Sequence, residues 1–159
     1  MKKISILFLQ IALVAIGVVA FAILIRFPLT EGRAVNLDLW SIYSDPFILY
    51  AYLSSIAFFV GLYKAFRLLG FIRLNKLFTE DSINILKNIR YCAIILSVLI
   101  VMAGVYIKIF HHKDDDPAGF LGLCIVTTFI CIVVATAVAV LEKVLQNAID
   151  MKSENDLTI

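Results

Sequence analysis

The stretch AGFLGLCIVTTFICIVVATAVAVL, residues 118–141, contains 24 residues and no charged side chain. An α-helix rises about 1.5 Å per residue, so this stretch is about 36 Å long as a helix, against about 30 Å for the hydrocarbon core of a bilayer. A run of this length and composition is typical of a membrane-spanning helix. The stretch therefore predicts an integral membrane protein.

The rest of the chain agrees with that class. Of its 159 residues, 62% are hydrophobic and only 16% are charged, and its mean hydropathy is +1.00. Soluble domains carry about 25% charged residues. Four apolar runs predict spans at about 4–25, 47–69, 91–110 and 118–141. We expect an all-α integral membrane protein with four transmembrane helices in a bundle, forming a single domain over residues 1–159.

The first apolar run also has features of a signal peptide. Lys2 and Lys3 precede it, and Ala20 to Ala22 reads AFA, as at a cleavage site. However, the run is longer than the 7–15 residues of a signal core, and apolar sequence continues past AFA. We therefore interpret it as an uncleaved first span.

The basic residues predict the orientation. The N-terminus, the connection between spans two and three, and the C-terminal end together hold ten of the fourteen, namely Lys2, Lys3, Lys64, Arg67, Arg73, Lys76, Lys87, Arg90, Lys143 and Lys152. The other side has Arg26, Arg33, Lys108 and Lys113. Because cytoplasmic loops are enriched in Lys and Arg, both termini and the tail 142–159 are expected in the cytoplasm of a bacterial cell, at its plasma membrane. The net charge of +2 is too small to indicate direct nucleic acid binding.

The connection between spans two and three carries a helix start. Thr79 is a good N-cap residue, and Glu80 and Asp81 place negative charge in the first turn. The apolar spacing that follows runs directly into span three. We expect one helix of about 30 residues from Glu80 to near Phe110, extended into the cytoplasm by its amphipathic first turns.

The segment FHHKDDDP, residues 110–117, is the most polar connection. Its Asp116-Pro117 precedes span four as Asp45-Pro46 precedes span two, and aspartate followed by proline is a common helix start. The adjacent His111 and His112 would point to different sides of a helix, which does not suit a tight zinc site. Three consecutive aspartates also do not match a calcium loop. We predict a hairpin tip, with no metal and no other cofactor.

The first outer loop, residues 26–46, carries aromatic residues at three-residue steps. Leu37, Trp40 and Tyr43 lie in LDLWSIY. Aromatic side chains beside a span favour the headgroup zone, so this segment is expected on the outer membrane surface. The alternative interpretation is that this loop binds a ligand.

Small and polar residues form stripes on two spans. On span two these are Tyr50, Ser54, Ala57, Gly61 and Lys64, and on span four they are Cys124, Thr128, Cys131, Ala135, Ala139 and Glu142. Small side chains allow helices to approach closely in lipid, so both stripes are predicted to be packing faces. Lys64 and Glu142 end the stripes on the cytoplasmic side and are candidates for an ion pair.

The central parts of all four predicted spans lack ionisable groups. Such groups usually mark function inside a membrane, so their absence argues against a membrane-embedded hydrolase or a proton-coupled transporter. The remaining candidates for interaction lie on the cytoplasmic side: Lys64, Arg67, Glu142, Glu154 and Asp156. The tail also ends in Leu157 and Ile159, which offer apolar contacts beside the acidic ones.

Two segments resemble a known family. They are YAYLSSIAFFVGLYKAFRLLGFIRLNKLFTEDSINILKNI at residues 50–89 and SENDLTI at residues 153–159. Both resemble the bacterial family filed as domain of unknown function 2975, small membrane proteins with four predicted spans. Members are often encoded beside a small helix-turn-helix regulator, so the resemblance implies a membrane-linked regulatory role. It implies no catalytic residues.

We expect a non-enzymatic membrane protein that acts as a sensor, an anchor or a regulatory partner of a cytoplasmic helix-turn-helix regulator. The alternatives are a small transporter or pore subunit that forms its pathway as a homo-oligomer, and an immunity protein against a membrane-active peptide. Its expected partners are the lipid bilayer and a cytoplasmic protein.

Overall fold

The computed structural model describes residues 2–30, 39–110 and 117–156. These residues form five α-helices: α1 (Lys2–Thr30), α2 (Leu39–Tyr43), α3 (Pro46–Arg73), α4 (Glu80–Phe110) and α5 (Ala118–Asp156). Within the described ranges, all but the short α2 are long and apolar enough to cross a membrane. The expected class, an all-α protein with four membrane-spanning helices, is confirmed.

The helix starts follow from local chemistry. The Asp45 carboxylate accepts a hydrogen bond from the Phe47 N–H at 2.7 Å, and Pro46 occupies the first helical position of α3. This confirms the predicted start of the second span. α4 also begins at Glu80 and continues without a break to Phe110, as predicted. The Asp116 cap of the last helix lies outside the described residues.

The long helices pack mainly on their neighbours in the chain. α1 packs against α3, α3 against α4, and α4 against α5. The α1–α3 contact is close at Gly17, because a Cβ added there would lie 2.9 Å from Leu62 Cδ2. Farther along the same contact, the rings of Phe21 and Phe59 meet edge to face at 6.3 Å. α4 is thus packed between α3 and α5.

Burial differs between the middle of the helices and their ends. Apolar side chains such as Phe8, Leu53 and Phe129 are about two-thirds exposed on the outer faces of the spans. Such exposure is ordinary for helices in lipid, where association does not depend on removing apolar surface from water. The deepest burial lies near both ends of the helices: at Ser82 and Ile83 where α4 begins, and at Pro28 and Ile48 near the end of α1 and the start of α3.

The last helix is longer than the predicted span. The uncharged run ends at Leu141, but α5 continues to Asp156. Residues 142–156 contain no glycine or proline and many strong helix formers. Leu145 and Ile149, four residues apart, also face the start of α4. Most of the tail predicted after residue 141 is therefore helical.

Candidate functional site

The stripe predicted on the second span faces α4. The Tyr50 hydroxyl donates a hydrogen bond to the Leu99 carbonyl of α4 at 2.7 Å. A Cβ added to Gly61 would lie 3.4 Å from the Cβ of Cys92, also on α4. Between them, Ser54 donates to the Tyr50 carbonyl within its own helix at 2.8 Å. Ala57 and Lys64, the remaining members of the stripe, are half-buried.

The stripe predicted on the fourth span faces α4 from the other side. Cys124, Cys131 and Ala135 are buried, and Ala139 is half-buried. Cys124 lies against Gly104 of α4, where an added Cβ would be 3.6 Å from the Cys124 Cβ. The Thr128 hydroxyl is buried and has no hydrogen-bond partner among the described residues.

Both stripes therefore meet the same helix. The partner positions on α4 are Cys92, Leu99 and Gly104, none of which belongs to the two predicted stripes. Gly104 was the available signal, because a glycine in the interior of an apolar span permits close packing. On its own, however, one glycine does not show which helix approaches it.

An ion pair joins α4 to α5 at the end of the two stripes. The Arg90 Nη1 atom lies 3.0 Å from Glu142 Oε2, and the two side chains are 28% and 14% exposed. The contact is an ion pair without hydrogen-bond geometry, since Glu142 Oε2 makes no hydrogen bond to a described group. The pairing suggested between Lys64 and Glu142 is wrong. Glu142 pairs with Arg90 because α4, and not α3, packs directly against this part of α5.

Beyond this ion pair lies a compact hydrophobic cluster, which we call the head cluster. It is built on Ile83 and Leu86 of α4 and Leu145 of α5, with exposures of 1%, 3% and 6%. Partly buried residues that pack around it are Leu68, Leu77, Val138 and Ile149. Three helices and one turn therefore converge in this cluster.

The turn between α3 and α4, residues 74–79, closes the head cluster. Asn75 has a φ of 56°, a left-handed conformation that asparagine adopts more readily than most residues. The Lys76 carbonyl accepts hydrogen bonds from Thr79 Oγ1 at 3.0 Å and from Ser82 Oγ at 3.2 Å. Ser82 is fully buried. The turn is thus held in one conformation by its own hydrogen bonds.

The same turn presents apolar side chains outward. Leu77 points into the head cluster, whereas Leu74 and Phe78 are 61% and 57% exposed. The basic residues Arg73 and Lys76 beside them are also exposed. The outer face of the turn is therefore an apolar surface with adjacent positive charge.

The other predicted docking residues lie near this end but do not form one cluster with the ion pair. Arg67 is exposed and lies over the Phe71 ring, with its guanidinium carbon 5.7 Å from the ring centroid. Glu154 is exposed in the last turns of α5. Asp156 is the last residue of α5, and its side chain lies outside the described residues, as do Leu157 and Ile159.

At the opposite end, Trp40 of α2 is 82% exposed. Tyr43 of the same helix donates a hydrogen bond to the Ile25 carbonyl at 3.4 Å, which ties α2 to α1. Leu37 and most of the preceding loop fall outside the described ranges.

Within ranges 2–30, 39–110 and 117–156, no three His, Cys, Asp or Glu residues come together as metal ligands would. The hairpin tip with His111, His112 and its three aspartates is outside these ranges, so its interpretation stays a prediction.

Comparison with known proteins gives two matches. Residues 29–159 match the family described as "Protein of unknown function (DUF2975)". The chain is also 38% identical to "Uncharacterized membrane protein YoaS" of Bacillus subtilis (strain 168), over 161 aligned residues that cover 100% of both chains. No solved structure matches it. The family match spans most of the chain and the relative spans all of it, so this protein belongs to the DUF2975 family of membrane proteins.

Proposed function

We propose that this protein is a non-enzymatic membrane anchor or sensor that docks a cytoplasmic protein on the end of the molecule that carries the head cluster. The observation that carries the proposal is the head cluster itself. Lipid-facing helices do not need to bury apolar surface, whereas helices in water do. The head cluster joins three helices and a hydrogen-bonded turn in one tightly buried group, which supports a head that folds in water.

Helix lengths also support a position of the head cluster outside the hydrocarbon core. Arg90 precedes the end of α4 at Phe110 by 20 residues, or about 30 Å of helix, which equals the thickness of the hydrocarbon core. The Arg90–Glu142 pair would therefore lie at the membrane boundary. α4 extends about 15 Å beyond it to Glu80, and α5 extends about 21 Å to Asp156.

If the Arg90–Glu142 pair lies at the membrane boundary, the exposed apolar surface of the turn lies outside the lipid. Headgroups add only about 5–8 Å to each side of the hydrocarbon core. Leu74 and Phe78 adjoin the start of α4, about 15 Å beyond the boundary. Apolar side chains held in water by a rigid turn favour contact with a protein.

The distribution of charge supports a cytoplasmic head. Ten of the fourteen basic residues belong to this end of the molecule or to the N-terminus beside it, as expected for the cytoplasmic side of a bacterial plasma membrane. The family resemblance implies a helix-turn-helix regulator as the partner. Our proposal is that docking on the head keeps such a regulator at the membrane.

The proposal can be tested by photo-crosslinking in cells. A photoreactive amino acid at Phe78 should capture a cytoplasmic protein, and deletion of residues 154–159 should abolish that capture without impairing membrane insertion. The matched control places the same amino acid at Trp40, which is exposed at the opposite end.

The captured protein is identified by mass spectrometry, and a helix-turn-helix regulator is the expected identity. Capture of the same protein from Phe78 and Trp40 would contradict the proposal. So would a deletion variant that retains every partner of the full-length chain.

A further inference from the structure

The part of α5 that follows the Arg90–Glu142 pair has three distinct faces. Leu145 and Ile149 face α4 in the head cluster. A third of a turn away lies an apolar face, on which Val144 and Met151 are 60% and 61% exposed. The remaining face is polar and carries Lys143, Gln146, Asn147, Asp150, Ser153 and Glu154. Because polar and apolar side chains are separated in this way, the apolar face is suited to contact with another helix.

The apolar face has the spacing of a coiled-coil contact. Residues on it recur at alternating steps of three and four, a set that we call the α5 seam: Val134, Ala137, Leu141, Val144, Ala148 and Met151. Ala148 is half-buried and the other five are exposed. A mean step of about 3.5 residues is the period at which two helices supercoil around each other. Since α5 is one helix from Ala118 to Asp156, the seam is continuous.

The α5 seam crosses the membrane boundary inferred above from Glu142, and the inference rests on that placement. Val134 and Ala137 precede Glu142 and lie in the membrane, where exposed apolar side chains are ordinary. Val144 and Met151 follow it and lie in water, where exposed apolar side chains at regular spacing favour burial. A soluble protein could cover only the second part. A helix that covers the whole seam must itself cross the membrane.

The residues at and beside the seam favour an identical helix. Asn155 stands at the next position of the same spacing, and a single asparagine at such a position specifies register and oligomer state in coiled coils. Two copies of the chain have the same orientation in the membrane, so their α5 helices run parallel and identical seam positions meet. At the flanking positions Lys152 faces Asn147 of the second copy, so no like charges oppose each other there.

We propose that the α5 seams of two copies pack against each other as a parallel coiled coil, which makes the protein a twofold-symmetric dimer. The contact begins within the membrane and continues into water beside the head clusters. The dimer presents two copies of the exposed turn, which suits a partner that is itself a twofold dimer.

The seam is tested by disulfide cross-linking in isolated membranes, with single cysteines in a variant that lacks the three native ones. Val144→Cys and Met151→Cys should give disulfide-linked dimers on mild oxidation, because identical positions of a parallel seam face each other. The matched controls are Lys143→Cys and Asp150→Cys, which are also exposed but belong to the polar face. They should remain monomeric. Equal cross-linking at all four positions, or none at any of them, would overturn the proposed dimer.

A charge placed on the seam tests the same contact without cysteines. Val144→Glu should weaken dimerisation in mild detergent at least about tenfold, because two carboxylates would face each other across the contact. Native mass spectrometry over a range of protein concentrations provides the measurement. Lys143→Glu is the control and should leave the dimer fraction unchanged. Val144 is exposed, so the variant should keep its fold, which circular dichroism checks. A wild type that is monomeric at every concentration, or equal dissociation of both variants, would overturn the proposal.

The outcome can be separated from that of the proposed function, because Phe78 belongs to the turn and not to the α5 seam. Loss of capture from Phe78 with an intact Val144→Cys dimer would contradict the proposed function alone. Persistent capture from Phe78 with a monomeric Val144→Cys variant would overturn the dimer alone.

Discussion

Arg90 and Glu142 are the two residues whose pairing joins α4 to α5 at the base of the head cluster. Both side chains are less than one-third exposed, so the charges are partly removed from water. Removing one partner of such a pair leaves the other charge without compensation, and this cost exceeds the value of an exposed salt bridge. Loss of one partner of this pair should therefore destabilise the protein more than loss of an exposed salt bridge would.

A double-mutant cycle tests this pair. Arg90→Gln and Glu142→Gln should each lower the free energy of unfolding, and the coupling free energy between them should be about 1–2 kcal/mol, between the values for exposed and buried pairs. Unfolding in detergent, followed by circular dichroism, provides the measurement. A control cycle on Lys64 and Glu142, in place of Arg90 and Glu142, should show coupling near zero. Stronger coupling of Glu142 to Lys64 than to Arg90 would refute the observed pairing.

At the scale of the elements, α4 is the helix against which both predicted stripes pack. Tyr50 and Gly61 meet it from α3, and Cys124 meets it from α5. Close approach in lipid depends on small side chains, because van der Waals contact replaces the hydrophobic effect between helices. Bulk added at a contact position should therefore separate the helices.

We predict that Ala135→Leu and Gly61→Leu destabilise the protein more than Val133→Leu does. Ala135 is buried, whereas Val133 is 50% exposed. Additional methyl groups therefore have room at Val133 but not at Ala135. Overpacking of this kind typically costs about 1–3 kcal/mol. The midpoint of thermal unfolding in detergent is the appropriate measurement. If the three variants unfold at the same temperature, the stripes are not packing faces.

At the scale of the whole molecule, the two ends differ in construction. The end with the head cluster has buried apolar residues, an ion pair and a hydrogen-bonded turn. The other end has an aromatic group in which Phe47 stacks on Tyr106 at 6.0 Å and meets Phe120 at 5.8 Å. Aromatic side chains near helix ends are common at membrane interfaces. The ion pair and the hydrogen-bonded turn beside the buried residues support a water-exposed head at the end with the head cluster.

The orientation can be measured by cysteine accessibility. In a background without Cys92, Cys124 and Cys131, an impermeant thiol reagent applied to intact cells should label Trp40→Cys but not Ser153→Cys. Both positions are exposed, so a difference in labelling reports the side of the membrane. After the cells are permeabilised, both variants should react. Labelling of Ser153→Cys alone in intact cells would reverse the proposed topology.

The class, the number of spans and most of the helix starts could be predicted from the sequence. These depend on local properties: an uncharged run long enough to cross the bilayer, and a capping aspartate followed by proline at Asp45 and Pro46. The α4 boundaries at Glu80 and Phe110 were likewise predictable. The continuation of α5 to Asp156 was missed because hydropathy marks where a span becomes polar, not where its helix ends.

Which residues of different helices meet could not be predicted and is known from the tertiary structure. The stripes predicted contact faces but did not identify α4 as their shared partner, and charge alone paired Glu142 with Lys64 instead of Arg90. Such contacts depend on the relative register and rotation of whole helices, which no periodicity within one helix specifies. The head cluster was missed for the same reason, since Ile83 and Leu145 are 62 residues apart in the chain and come together only when α4 packs against α5.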